Sequence, residues 1–317
     1  MSILVVIVNY RTPGLTIECL ESLAPEIAHL PGTRVIVTDN ASPDDSVPQL
    51  TAAIEHLGIG HWCTLMPLPK NGGFAYGNNE AIRPHLVEGG PELIWLLNPD
   101  TIVLDGALTE LAQFMNDHPH IGIAGGRAEN RDGTVRRSCF RFHTPLSELE
   151  GALHFGPASK VLKNKIVAPP IPEKPEKFDW VSGASMMIRR SVLDKIGLLD
   201  DAYFMYFEET DFCLRAARAG FECWYVPQSR IIHLVGQSSG VTGTQKVKKR
   251  RPKYWFDSRY RYFRENFGWS TTQAANLLWL TGYPLGRIWQ KARGKRVDDP
   301  PMLWWDFLRY NYTKCRH

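Results

Sequence analysis

The sequence contains no Cys-x-x-Cys pair and no cysteine with a histidine at zinc spacing, although it holds six cysteines, at 19, 63, 139, 213, 223 and 315. That argues against a structural zinc site and leaves reduced, mostly buried thiols in a cytoplasmic protein as the expectation. The opening MSILVVIVNY lacks a basic start and a small-residue cleavage site, so it reads as a first strand and not as a signal peptide. Residues 266–286 carry no charge, but Gly268, Asn276, Gly282, Pro284 and Gly286 spoil them as a spanning helix. A segment lying in a membrane interface is expected instead. No internal repeat is visible. With 44% hydrophobic and 22% charged residues over 317 positions, disorder is excluded too.

What is present is divided unevenly. Residues 1–239 hold 20 Lys/Arg against 28 Asp/Glu, whereas residues 240–317 hold 17 against 5 and carry 6 of the 10 tryptophans. An acidic body with a basic, aromatic tail predicts a partner of opposite charge at one end, either a membrane surface or a nucleic acid. The expected division is a body over 1–240 and a helical extension over 241–317. The tail begins with a basic run, KVKKRRPK, and continues with aromatics interleaved with Arg259, Arg261 and Arg264.

Within the body, short aliphatic runs alternate with helical periodicity. Ile3 to Val8, Arg34 to Thr38, a weaker stretch near Cys63, and Leu93 to Leu97 read as strands. Between and after them, helices are expected from Pro13, to about Leu57 with Ser46 or Ser42 as its cap, and from about Gly106 to Asp117. Such alternation predicts an α/β fold, a mostly parallel open sheet with helices on both faces. Residues 143–177, with six prolines and little periodicity, read as a mobile excursion, a lid over the surface.

Polar groups follow four strand ends: Asn9 and Arg11, Asp39, Asn98 to Asp100, and His233. In an open α/β sheet the carboxyl edge is where ligands bind. Pro99 cannot join a ladder, so Asp100 is thrown off its strand end, where a carboxylate suits a divalent cation that also holds a diphosphate. Gly72 and Gly73 would let backbone approach a ligand. Each has a plain alternative: turn and cap chemistry for Asp39-Asn40, a simple turn for NGGFAYGNN, a satisfied strand-end histidine for His233. Glu208, Glu209 and Asp211 open a helix, where the dipole alone favours carboxylates. Flanking aromatics would desolvate one of them into a better base for a hydroxyl proton.

Taken together, VVIVNYR, VTDNAS, KNGGFAYGNN, LLNPD, WVSGASMMIRR, FMYFEETDFCLRAARAGF and IIHLVGQSS resemble glycosyltransferase family 2, in its bacterial rhamnosyltransferase-like branch, over residues 3 to about 240. The resemblance implies a GT-A fold, a nucleotide-diphosphate sugar donor, a divalent metal (Mg2+ or Mn2+) and inversion at the anomeric carbon. By position, it implies donor and nucleotide contacts at Asn9, Arg11, Asp39, Asn71, Gly72, Gly73, Phe74, Asn78, Asn98 and Asp100. The acceptor side would be Trp180, Ser182, Gly183, Glu208, Asp211 and Arg215. Asp100 and His233 would hold the metal, and Glu209 would be the base. Two departures stand out: Asn98 replaces the first Asp of Asp-x-Asp, and Glu209 replaces the Asp of Glu-Asp.

The expected activity is therefore transfer of a sugar, with dTDP-rhamnose preferred and a UDP-hexose as the alternative. The acceptor would be a glycan or lipid-linked hydroxyl in cell-surface polysaccharide synthesis. The tail, residues 246–317, would hold the protein on the inner face of the cell membrane through anionic lipid; its aromatics packing as a helical subdomain is the plain alternative. A non-catalytic nucleotide- or glycan-binding module on the same scaffold is a further alternative. A nucleic-acid partner is not expected, because the basic run resembles no reading module.

Overall fold

The computed structural model describes residues 1–234, 249–295 and 298–312. The 235–239 end of IIHLVGQSS and residues 246–248 of the basic run lie outside the described residues. In chain order the first elements are β1 (Ile3–Asn9), α1 (Pro13–His29), β2 (Arg34–Asp39), α2 (Ser46–His56), β3 (Cys63–Pro67), α3 (Gly73–Ile82), β4 (Leu93–Leu97), β5 (Thr101–Val103), α4 (Ala107–Asp117) and β6 (Ile121–Glu129). There follow β7 (Val135–Arg136), β8 (Cys139–Phe140), α5 (Pro145–Leu153), α6 (Gly156–Val161), β9 (Glu176–Phe178), β10 (Trp180–Val181) and β11 (Ser185–Arg189). The chain ends with α7 (Arg190–Ile196), α8 (Glu208–Arg218), β12 (Glu222–His233), α9 (Lys253–Ala292) and α10 (Leu303–Tyr312). The chain forms two compact units. One holds Met1–Phe140, Pro170–Phe204 and the stretch from Glu208 through β12; the other holds Arg141–Pro169, Met205–Phe207 and the described residues from 249 on.

The first unit is built on a mixed, mostly parallel sheet in the order β3-β2-β1-β4-β11-β6-β12-β5. Because β1 runs parallel to β2 and β4, the ends of these three strands open on one edge. Strand β11 is antiparallel to both β4 and β6, which returns β6 to the direction of β4, and β12 is parallel to β6. His233 therefore ends β12 on the same rim as Asn9, Asp39 and Asn98. β1 and β4 are buried along their whole length, as their continuous aliphatic runs require. Trp95 is fully buried, and its Nε1 donates to Ser185 Oγ at 3.0 Å, which satisfies the one polar atom of the ring. On α4, Leu108, Leu111, Ala112 and Met115 all face the core; each large side chain contributes about 1.5–3 kcal/mol by burial. The five described cysteines are free and buried, and burial pushes the thiols of Cys19, Cys63 and Cys139 up to about 12.

Two expectations are corrected in this unit. NGGFAYGNN is neither loop nor turn beyond its first residues: it is α3, formed against the helix propensity of its glycines and asparagines because tertiary contacts hold it. Neither Ser42 nor Ser46 caps α2; Ser42 Oγ donates to Asp39 and Ser46 Oγ to Asp44.

In the second unit the proline-rich segment is not an unstructured excursion. Thr144 caps α5 in a reciprocal capping box with Ser147, with Pro145 at the first helical position. Helix α5 lies against α9, where a Cβ on Gly286 would sit 2.2 Å from the Leu153 carbonyl oxygen. The glycines that spoil a spanning helix are thus the ones that let α5 pass. Fully buried Arg259 of α9 donates from Nε to Glu148 at 2.8 Å and from Nη1 to Asn276 Oδ1 at 2.7 Å. Tail aromatics build a core of their own: Phe256, Leu303 and Phe307 with Trp279, Tyr283 and Tyr310, Trp279 stacking on Phe307 at 3.9 Å. Helix α9 breaks at Gly268 (φ 80°). Trp269, Leu277, Leu285, Ile288, Trp289 and Trp305 remain exposed. Among the described residues no helix is long and apolar enough to cross a membrane.

Candidate active site

Asp39 ends β2 almost fully buried, and its carboxylate is fixed by three donors: Asn9 Nδ2 at 2.6 Å, Ser42 Oγ at 2.7 Å and the Ser42 N–H at 2.8 Å. Asn9 is oriented in turn by Thr16 Oγ1, which donates to its Oδ1 at 2.9 Å. A carboxylate has about four acceptor sites, so one lone pair of Asp39 remains for a ligand. Arg11 is exposed and left-handed (φ 59°), as is Ala41 (φ 54°) across the same rim. The Arg11 N–H donates to Ser42 Oγ at 2.9 Å, joining the two strand ends, and strained non-glycine residues of this kind cluster at functional sites.

The second cluster lies where the end of β12 pairs with β5, His233 standing opposite Thr101 just after the Asn98–Asp100 turn. His233 Nε2 is 3.3 Å from Asn98 Nδ2 and 3.4 Å from Asp100 Oδ1. Asp100 Oδ1 is buried and accepts no hydrogen bond. An unsatisfied buried carboxylate oxygen costs about 1–3 kcal/mol or more, and a divalent cation would satisfy it. Carboxylate oxygen and imidazole nitrogen suit Mn2+ or Mg2+ with further oxygens from a diphosphate, so these residues fit the ion. Among the described residues no group of three or more His, Cys, Asp or Glu could hold a metal by protein ligands alone. With Asn98 in place of a second carboxylate, donor oxygens must complete the shell.

The third cluster joins α3 to the loops before α8. Gly73 is left-handed (φ +88°), and a Cβ there would lie 1.8 Å from the Phe204 carbonyl oxygen, which accepts from the Phe74 N–H at 3.1 Å. The close approach that the glycine pair permits is therefore to Phe204. Asn71 Oδ1 accepts from the Gly73 N–H at 3.1 Å, and a Cβ on Gly72 would strike the Tyr76 ring at 2.4 Å. Asn78 is buried and donates to the Phe74 carbonyl at 2.9 Å, leaving its Oδ1 unpaired. The Phe74 ring reaches across to Gly183: a Cβ there would meet it at 3.0 Å and Glu209 Oε1 at 3.9 Å. Residues distant in sequence (Phe74, Gly183 and Glu209) thus share one wall.

Glu209 is half-buried and accepts from the Gly183 N–H, while Glu208 is almost fully buried beside it. Burial pushes both carboxyls above the ordinary range, Glu208 further because the Glu209 charge adds to it. Of the two, Glu209 is the partly exposed member, on the wall with Phe74 and Gly183.

Other predicted residues support rather than line this wall. Asp211 accepts from Arg215 Nε at 2.8 Å and from Tyr203 Oη at 3.3 Å, and Arg215 donates to the carbonyls of Ile196 and Leu198. Trp180 stacks on Phe140 at 4.2 Å, and the Ser182 N–H donates to the Ser138 carbonyl at 2.9 Å. Sequence reasoning missed Asn40, whose Nδ2 donates to the Gly73 carbonyl at 2.9 Å. It also missed Asn79, whose amide both donates to the Leu199 carbonyl and accepts from its N–H, at 2.8 and 3.2 Å. Buried amides inside a helix that only tertiary contact stabilises were the available signal.

Comparison with known proteins places this geometry in context. A family model described as "Glycosyltransferase like family 2" matches residues 2–268. The chain is similar to the low-salt glycan biosynthesis hexosyltransferase Agl10 of Haloferax volcanii, 27% identical over 68% of this chain and 61% of that protein, so it spans less than two thirds of that relative. It is similar to the N-acetylglucosaminyl-diphospho-decaprenol L-rhamnosyltransferase of Mycobacterium tuberculosis, 28% identical over 74% of this chain and 77% of that protein. In fold it is similar to the mannosyltransferase PcManGT of Pyrobaculum calidifontis, solved with GDP-Man and Mn2+, with a TM-score of 0.57 at 14% identity over 98% of this chain and 87% of that one.

Proposed function

Since the chain belongs to glycosyltransferase-like family 2 and has a GT-A fold, we propose that it is an inverting sugar transferase acting on a lipid-linked hydroxyl. The observation that carries this reading is the single wall made by Phe74, Gly183 and Glu209 on the unit whose sheet rim bears Asp39, Asn98, Asp100 and His233.

Asp39, held by Asn9 and Ser42, takes the nucleotide, and Arg11 adds a mobile positive charge for it. Asp100 and His233 would hold a divalent ion, whose chemistry there would be to offset the negative charge of the departing diphosphate. Glu209 takes the proton of the acceptor hydroxyl. That oxygen bonds to the anomeric carbon from the face opposite the nucleotide, and the carbon–oxygen bond to the diphosphate breaks. The Gly183 N–H fixes the Glu209 carboxylate. A rhamnosyl donor and a lipid-diphosphate acceptor are favoured by the mycobacterial relative's name; dTDP-rhamnose is the preferred donor and a UDP-hexose the alternative. The exposed Trp269, Leu277, Leu285, Ile288, Trp289 and Trp305 of α9 and α10 support contact with a membrane surface from the cytoplasmic side.

The test is Glu209→Gln with Asp100→Ala as its companion. Removing a general base costs about 10²–10⁴-fold in rate. Glu209→Gln is expected to lose transfer and keep donor binding, and Asp100→Ala to lose the manganese-dependent part of that binding. Full transfer by Glu209→Gln refutes the base.

A further inference from the structure

Three arginines of the C-terminal unit are paired: exposed Arg250 with buried Asp306, buried Arg259 with Glu148, and Arg287 with Asp299. Arg251 is not. It is half-buried, with its guanidinium carbon 4.4 Å from the centre of the Trp255 ring. Its Nε is buried and without a hydrogen-bond partner. Among the described residues no carboxylate lies within ion-pair distance of it. The titratable groups facing it from other elements are the Tyr206 hydroxyl and the Asp299 carboxylate. Asp299 already accepts from Tyr283 and Arg287. A buried, unpartnered Nε on a half-buried guanidinium is costly, and an anion taken by the donor fork would satisfy it.

The surroundings specify the kind of anion. Tyr206 stacks on Tyr254 at 6.0 Å with the rings 21° apart, in a left-handed conformation (φ 70°) that Phe207 repeats (φ 69°). Ser258 Oγ donates to the Met205 carbonyl at 3.0 Å, and the His143 and Tyr262 rings flank Phe207 at 5.0 and 5.5 Å. Strain of this kind persists only where neighbours enforce it. The first turn of α9 carries no acidic residue and its start has no side-chain cap, so nothing there neutralises the cation. Planar, aromatic-backed guanidinium forks match phosphate oxygens in pairs. Tyr206 precedes Glu209 by three residues, about 11 Å of chain at most.

Resting on the proposed transfer reaction, we infer that Arg251, backed by Trp255 and bordered by Tyr206 and Tyr254, binds the diphosphate of the lipid-linked acceptor. Burial also pulls its pKa down from the usual arginine value, which an incoming phosphate would reverse.

The experiment compares wild type with Arg251→Met and Arg251→Lys. With a short-chain glycosyl diphosphate acceptor, Arg251→Met is expected to raise KM at least tenfold. KM for donor should be unchanged, as should turnover of an alkyl glycoside that lacks phosphate. Arg251→Lys should recover only part of the loss. Melting temperature should hold or rise in Arg251→Met, because an unpaired half-buried charge has gone. Inorganic pyrophosphate binding, read by calorimetry, tests the site without turnover: wild type should bind one more equivalent than Arg251→Met. Equal pyrophosphate binding overturns this assignment even if transfer occurs; intact binding without any transfer overturns the reaction instead. Equal losses on both acceptors mean a packing role and overturn the site. Loss of sedimentation with phosphatidylglycerol vesicles alone, at unchanged KM, assigns Arg251 to lipid headgroups and overturns the acceptor reading.

Discussion

Glu148→Gln removes the anion from the buried pair that ties α5 to α9. Burial is the largest influence on Glu148 and raises its pKa; Arg259 and His143 together more than reverse it, bringing it to about 2 from 4.5. A pKa depressed that far corresponds to roughly 3 kcal/mol of stability at neutral pH. Breaking a buried pair by removing one partner costs about 3–5 kcal/mol, because the other charge is left alone. The two figures agree, and the lower end applies because glutamine still accepts one hydrogen bond from Arg259. For a depressed carboxylate the contribution is complete above its unfolded pKa and is lost as pH falls through the folded one. Urea unfolding followed by tryptophan fluorescence should therefore show Glu148→Gln about 3 kcal/mol less stable at pH 7, with the gap narrowing between pH 4.5 and 2. Replacing both partners, Glu148→Leu with Arg259→Met, should restore much of the loss. A variant as stable as wild type at pH 7, or a gap that ignores pH, refutes the reasoning.

Gly73→Ala meets the Phe204 carbonyl oxygen at 1.8 Å in a left-handed backbone, so a cost above about 2 kcal/mol from conformation and the lost Phe74 hydrogen bond is expected in thermal melts. Both members of the Glu208–Glu209 pair are raised, so the stability they contribute is present below the ordinary carboxylate pKa and fades as pH rises through the raised one. Glu208→Gln should reduce that alkaline fading to the part Glu209 contributes while keeping the acid limb of the rate profile, since its amide can donate to Glu209. Glu208→Ala lacks the donor and should move the limb to higher pH.

The sheet and the polar rim at its strand ends were legible because buried parallel strands are written as unbroken aliphatic runs, each followed by its polar residue. Helix α3 was not, since Gly72, Gly73, Gly77, Asn78 and Asn79 disfavour helix locally and only Phe204, Asn40 and Leu199 make it worthwhile. The segment from 143 was misread by counting prolines. Thr144-Pro145 followed by Ser147 is itself a helix start, and Pro145 begins α5 rather than preventing it. Clusters such as Phe74–Gly183–Glu209 join positions more than a hundred residues apart, and no local pattern announces that meeting. Arg251 was visible only as one charge in a basic run; its lack of a partner is a property of packing.

Phe204 rests its carbonyl where Gly73 has no side chain, and Asn79 grips both backbone groups of Leu199. On the proposed roles, 71–79 are the positions to vary for a new sugar, yet they also anchor the chain leading into Glu208 and Glu209. Donor choice and acceptor handling would then be wired together, so altered substrate preference should come in coupled steps, with compensating changes near 199–204 accompanying any productive change in α3.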